Sequence, residues 1–251
     1  MTETQDVKFG IFLVTGNSMI AEAAAVAGFD WAVIDMEAAA IGRQDALHQL
    51  QALSGSNTVS MIRVASLDRS SIEHALDIGA AGVLVPKVET AGAAKEAADW
   101  CRFPPHGHRG VNPIRASAYF QNLESYFEEA NSRVFCAVQI ETSKGLANAA
   151  EIAAVEGVDI VFIGAGDLAM ELGTPGKPSG EIFDSAVDEI FRCTVEANKI
   201  PGIFAYSLEY AMKYREAGFK LIALGNEIKF FLSGAEVMLR GVGPGMLSNL
   251  D

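Results

Sequence analysis

Short runs of Val, Ile and Phe recur along the chain, and a longer stretch with one apolar helical face follows each. The apolar runs lie at 9–14, 31–35, 59–64, 82–86, 135–140, 160–163, 201–204 and 221–224. They mostly lack polar–apolar alternation, which predicts strands buried on both faces, as in a parallel sheet covered by helices. Helical patterns fill the intervals at 19–27, 43–54, 70–78, 91–101, 148–154, 183–197, 208–217 and 227–240. Gly28, Gly79 and Gly218 stand just past three of these, where a left-handed residue closes a helix.

Eight strand–helix pairs in 251 residues is the arithmetic of an α/β (β/α)₈ TIM barrel, here a single domain over 1–251. A doubly wound open sheet is the runner-up, but usually has fewer strands at this length. The segment 103–133 interrupts the alternation as one long loop rich in Pro and Gly. Loops of that length in a compact domain are usually functional.

Composition narrows the class. Half of the residues are hydrophobic, so a sizeable core can form. With 32 acidic and 19 basic residues the net charge is −13, which argues against nucleic acid or anionic membrane as partners. Cys101, Cys136 and Cys193 are scattered and odd in number, as expected of reduced thiols in a cytoplasmic protein. The polar stretch 1–8 lacks the apolar core of a signal peptide, and no apolar run reaches membrane-spanning length.

Barrel chemistry collects at the carboxyl ends of the strands. There the chain carries Asp35 and Glu37, Arg63, Lys87, Gln139 and Glu141, Gly164 to Asp167, and Asn226 and Glu227. Glu141 and Asp167 close consecutive strands. Adjacent strands lie about 4.8 Å apart, so the two carboxylates can converge on one ion. Oxygen ligands suit Mg²⁺ or Mn²⁺, with water and substrate completing the shell. Taken alone, Asp167 reads as a helix N-cap; the pairing with Glu141 favours metal. Gly164, Ala165 and Gly166 let a carboxylate approach backbone N–H groups. Arg63 fits a carboxylate or a carbonyl oxygen, and equally a structural ion pair. Lys87 invites Schiff-base chemistry, ranked second to pairing with a carboxylate such as Glu89. His106 and His108 read as solvent-exposed loop residues, with Arg109 as a clamp.

Taken together and in order, these segments resemble the HpcH/HpaI family of class II pyruvate aldolases. The matching pieces include Asp35-Met36-Glu37, Arg63-Val64, Leu76-Asp77-Ile78-Gly79-Ala80 and Val85-Pro86-Lys87-Val88-Glu89-Thr90. They continue through 104–110, Gln139-Ile140-Glu141-Thr142 and Phe162-Ile163-Gly164-Ala165-Gly166-Asp167. The resemblance implies Mg²⁺, Mn²⁺ or Co²⁺ on Glu141 and Asp167, Arg63 on the 2-oxo group of pyruvate, and Gln139 lining that site. Backbone amides of Gly164, Ala165 and Gly166 would hold the carboxylate. It implies reversible cleavage of a 4-hydroxy-2-oxo acid to pyruvate, or a close 2-oxo acid, and an aldehyde. It also implies a hexamer, a trimer of dimers, with the last helix exchanged between subunits.

The chain departs from the family pattern at one chemically important position. Where that pattern reads Asp-x-Glu-His, with a proton-transferring histidine that Asp35 or Asp77 would orient, this chain has Ala38. Alanine moves no proton, which points to diverged chemistry or to an engineered, inactivating His-to-Ala change. Smaller departures at Lys87, Ala165-Gly166 and Asn226-Glu227 bear on substrate identity. The competing readings are a citrate-lyase-like enzyme condensing another enolate and a non-catalytic 2-oxo acid binding protein.

Overall fold

The structure is a computed structural model that describes residues 7–176 and 178–242. Most of the stretch 1–8 read above for a leader lies outside the described residues. Eight parallel strands close on themselves in chain order, β8 pairing with β1. They are β1 (Lys8–Leu13), β2 (Trp31–Asp35), β3 (Val59–Arg63), β4 (Gly82–Val85), β5 (Phe135–Ile140), β6 (Ile160–Ile163), β7 (Ile200–Phe204) and β8 (Leu221–Asn226). The barrel read from the apolar runs is therefore the fold.

Helices surround it: α1 (Ser18–Val26), α2 (Arg43–Leu53), α3 (Arg69–Asp77), α4 (Ala91–Cys101), α5 (Leu123–Arg133) and α6 (Ser143–Ala147). The series continues with α7 (Ala149–Ala153), α8 (Ala165–Glu171), α9 (Glu181–Glu196), α10 (Leu208–Ala217) and α11 (Glu227–Gly241). Several starts are capped by side chains. Asn17, Asp68, Thr90, Thr142, Ser207 and Asn226 each accept a backbone N–H of the first turn. Gly28, Gly79 and Gly218 take positive φ at helix ends, as read from the sequence. The long loop expected at 103–133 differs in its second half, which is α5. Leu123, Tyr126, Phe127 and Ala130 follow helical spacing there, although of the helix's residues only Ala130 is fully buried.

Two apolar regions follow from the strand alternation. Residues pointing outward join the helices in the main core, with Leu13, Ile34, Ile62, Val83, Ile140 and Ile163 among them. Residues pointing inward fill the barrel, including Phe12, Trp31, Met61, Leu84, Phe162 and Ala223. Space for the large rings comes from strand glycines. A Cβ on Gly10 would overlap the Trp31 indole, and one on Gly202 would overlap the Phe162 ring. The barrel is a packed plug, so any chemistry lies above it, at the carboxyl ends. Cys101, Cys136 and Cys193 are free and buried. Among the described residues no helix is long and apolar enough to cross a membrane.

Candidate active site

The inward alternation carries polar residues into the layer above the plug. On β2 it passes from Val33 to Asp35, on β3 from Met61 to Arg63, and on β5 from Ala137 to Gln139 and Glu141. Asp35 and Arg63 are register partners. Arg63 Nε donates to Asp35 Oδ1 at 2.9 Å and Nη2 to Oδ2 at 2.6 Å. Its Nη1 lies 3.0 Å from Glu37 Oε2. Burial alone lowers the Arg63 pKa, but the hydrogen bond to Asp35 and the charges of Asp35, Glu37 and Glu141 raise it above its ordinary value. The guanidinium is thus permanently charged and held on two edges, and it sits 5.2 Å over the Phe12 ring. A guanidinium has five N–H groups, so donors remain for a ligand. Ion pair and ligand site, the two alternatives read from the sequence, are compatible here.

Asp35 also orders the loop after β2. Its Oδ1 accepts the backbone N–H of Glu37 at 3.1 Å and of Ala38 at 3.2 Å. It fixes position 38 through the main chain, and Ala38 itself is exposed. Glu37 bridges onward to Lys87, with Oε1 3.1 Å from Nζ. The partner of Lys87 is therefore Glu37; Glu89 pairs with Lys144. The hydrogen bond that Lys87 donates to Glu37, and the Glu37 charge, raise the Lys87 pKa, so the amine stays protonated. A Schiff base needs the neutral amine, and the geometry opposes that reading.

Glu141 is 1 % exposed. It accepts the Lys87 backbone N–H on Oε1 at 2.9 Å and the Gln139 amide on Oε2. Lys87 has φ of 53°, a left-handed conformation that aims its N–H at Glu141. Burial first, then the charges of Asp167 and Glu37, push the Glu141 pKa up to about 7. The close seat of this carboxylate depends on Gly164, where a Cβ would overlap Glu141 Oε2. Gln139 Oε1 is buried without a partner.

Asp167 stands in the first turn of α8, at the exposed rim beside Glu141. The Gly164 N–H donates to Ile140 O at 3.1 Å, so of the three amides read for a carboxylate this one is engaged in the chain itself. The next amides, Ala165 and Gly166, are in the first turn, where N–H groups lack intrahelical partners.

Asp77 is not part of this layer within the chain. It is the last residue of α3, which runs back toward the amino end of the barrel before β4 begins. There it pairs with Arg109 at 2.7 Å, whose Nη2 also donates to Tyr126 Oη at 3.0 Å. Arg109 stacks 4.5 Å over Phe103 and so clamps the 103–110 loop as read from the sequence, while His106 and His108 are exposed. Asn226 and Glu227 hold backbone: Asn226 caps α11, and Glu227 Oε1 accepts the N–H groups of Val14 and Thr15 at 2.7 Å each.

Tyr206, two residues beyond β7, was missed by the sequence reading. Its hydroxyl lies against Gly166, where a Cβ would overlap Oη. Burial and the Asp167 charge raise its pKa, so it is a neutral donor. The one signal for it was its place after a barrel strand, in register with the inward-pointing Phe204.

A parallel barrel thus gathers an arginine, a buried amide and the carboxylates of Glu141 and Asp167 at its carboxyl mouth. The sequence pattern of the HpcH/HpaI aldolase/citrate lyase family matches residues 8–234. The 2-dehydro-3,6-dideoxy-6-sulfogluconate aldolase of Pseudomonas putida is 35% identical over 240 residues, covering 95% of this chain and 94% of the relative. The 4-hydroxy-2-oxovalerate aldolase of Rhodococcus jostii is 40% identical over 220 residues, covering 87% and 84%. The crystal structure of a protein of the same family from Burkholderia cenocepacia superposes with a TM-score of 0.91 at 34% identity, covering 94% of this chain and 95% of that one. The chain belongs to the HpcH/HpaI aldolase/citrate lyase family, and it is a carbon–carbon lyase.

Proposed function

We propose that the protein is a divalent-metal-dependent aldolase that cleaves a 4-hydroxy-2-oxo acid to pyruvate, or a close 2-oxo acid, and an aldehyde. The observation that carries this reading is the position of Arg63 in the same layer as Gln139 and Glu141, charged and fixed by Asp35 and Glu37. Cleavage between C3 and C4 leaves an enolate whose charge sits on the 2-oxygen. A preorganised guanidinium stabilises that charge as it develops, without reorienting at the moment of reaction.

The residues present fit a hard divalent cation. Glu37, Glu141 and Asp167 bring three carboxylates to the mouth against Arg63 and Lys87, and burial, then the charges of Asp167 and Glu37, raise the Glu141 pKa; a cation there would offset the charge repulsion. Glu141 and Asp167 would hold it, with oxygen donors suited to Mg²⁺, Mn²⁺ or Co²⁺. Among the described residues no group of three His, Cys, Asp or Glu side chains is placed to hold an ion, so substrate and water would complete the shell. When bound, the ion supplies Lewis-acid stabilisation of the same enolate. Ala165 and Gly166 amides face the substrate carboxylate, Gln139 lines the pocket floor, and Ala38 leaves the loop after β2 with no side chain to move the C4-hydroxyl proton.

Assembly belongs to the same reading. Helix α11 leaves apolar side chains open around much of its circumference: Phe231 is 71% exposed, with Leu232, Val237, Met238 and Leu239 also open. An apolar surface of that size on a helix is covered by protein. A second copy of the chain, exchanging this helix within a hexamer, is the occupant we propose. The test of the catalytic reading is incubation with Mn²⁺ and pyruvate in D₂O. Exchange of the methyl protons, abolished by chelation, is the expected result; no exchange at any metal concentration refutes it.

A further inference from the structure

The carboxyl end of β7 carries a side chain that this reading leaves idle. Strand alternation turns Phe204 toward the barrel axis, and Tyr206 follows it two residues later on the same side, one layer higher. Their rings are 5.0 Å apart, and Phe204 in turn lies 5.3 Å from Phe12, the ring beneath Arg63. An aromatic column thus runs from under the arginine to the mouth. At its top the Tyr206 hydroxyl rests against Gly166, the neighbour of Asp167, and only a glycine leaves it room. The backbone of Tyr206 is anchored as well: its carbonyl accepts from Lys229 Nζ, and that ammonium sits 5.9 Å from the ring. Ring and main chain are fixed on three sides. The hydroxyl makes no hydrogen bond among the described residues.

Depth separates the two halves of the proposed substrate. Gln139 and Glu141 are almost wholly buried, whereas Asp167 is exposed and Tyr206 is 41% exposed. A molecule whose 2-oxo end is drawn down to Arg63 and Gln139 has to lead its remaining carbons outward, past the β7 end. We propose that Tyr206 is a substrate-binding residue for that outer half, its Oη donating a hydrogen bond to the oxygen on C4. That oxygen belongs to the aldehyde after cleavage. The inference rests on the aldolase reading above. A phenol held in place for one oxygen discriminates strongly against substrates lacking it, because the donor then loses its partner.

Tyr206→Phe removes the donor and keeps the ring column. The experiment compares two reactions of wild type and variant with Mn²⁺: methyl exchange of pyruvate in D₂O, which involves the inner half alone, and addition of pyruvate to acetaldehyde, glyceraldehyde and succinic semialdehyde. The expected result is a loss of tenfold or more in kcat/KM for addition, with exchange changed less than threefold and thermal unfolding unshifted. Equal activity of the two proteins in addition overturns the inference. So does a parallel loss of exchange and addition, which would place Tyr206 on the inner half or in folding. Wild-type protein that exchanges pyruvate but adds it to no aldehyde also overturns it, since the hydroxyl then has no outer half to bind. Wild-type protein that does neither refutes the aldolase reading itself, a result distinct from the others.

Discussion

Asp35 and Arg63 stand opposite one another in the β2–β3 ladder, and their side chains close a two-bond ion pair, Nε to Oδ1 at 2.9 Å and Nη2 to Oδ2 at 2.6 Å. Register and recognition coincide here: the pairing that builds the sheet also presents the guanidinium. Arg63→Lys keeps the charge and loses the planar fork. It is expected to lower kcat about 10²-fold or more, with a smaller change in KM, because enolate charge exists mainly in the transition state. Steady-state kinetics decide the point; a pure KM effect would make Arg63 a carboxylate anchor. Asp35→Ala removes the two-bond partner of a largely buried guanidinium and leaves it Glu37 alone, so it is expected to cost up to about 3 kcal/mol of stability in denaturant unfolding.

Removal of either proposed metal ligand tests the acidic pair. Glu141→Ala and Asp167→Ala are each expected to abolish Mn²⁺ binding in calorimetry, and with it pyruvate exchange. Binding retained in both variants would show that the ion, if used, sits elsewhere.

The pH dependence follows from Glu141, whose pKa is raised to about 7 by burial and neighbouring carboxylates. A raised acid favours the protonated fold. Its contribution is complete below the ordinary carboxylate pKa and is lost as pH climbs through about 7. Metal-free wild type is expected to lose stability relative to Glu141→Gln between about pH 5 and pH 8, as the carboxylate ionises. Mn²⁺ requires the ionised form, so its stabilising effect on wild type should grow over the same interval. Melting temperatures of both proteins across that range, with and without metal, provide the check. A parallel course for the two metal-free proteins would contradict the assignment.

Ala38 offers a gain-of-function test. Asp35 already fixes the backbone at this position, so an imidazole placed there starts from an ordered loop. Ala38→His is expected to raise aldol cleavage by at least about tenfold, a fraction of the 10²- to 10⁴-fold that a fully positioned general acid–base supplies. Mn²⁺ affinity should change little. A histidine variant no faster on any hydroxy-oxo acid would favour the enolate-condensing or binding-protein alternatives.

Helix α11 makes the assembly testable. Phe231 and Val237 are exposed in the chain, at 71% and 70%. Light scattering at micromolar concentration should show a hexamer, and Phe231→Asp should break it into smaller species. A wild-type monomer would exclude helix exchange.

The sequence alone specified the barrel because its signal is local: runs buried on both faces, each followed by an amphipathic stretch, leave a closed parallel sheet as the simplest burial scheme. It also specified Glu141 and Asp167 as neighbours, since consecutive strands in such a barrel pair with one another. Tertiary structure decided what depends on register and on which end a segment reaches. The two-bond grip of Asp35 on Arg63 needed the β2–β3 register. Glu37, rather than the nearby Glu89, took Lys87 because loops after different strands meet at the mouth. Asp77 went to the opposite end with the last turn of α3, where Arg109 awaited it, and the Gly164 amide was consumed by Ile140. Tyr206 carried no motif; only closure of the barrel put its hydroxyl on Gly166. Periodicity records which face of an element is buried, but the partners that meet above the plug are set by contacts far apart in the chain.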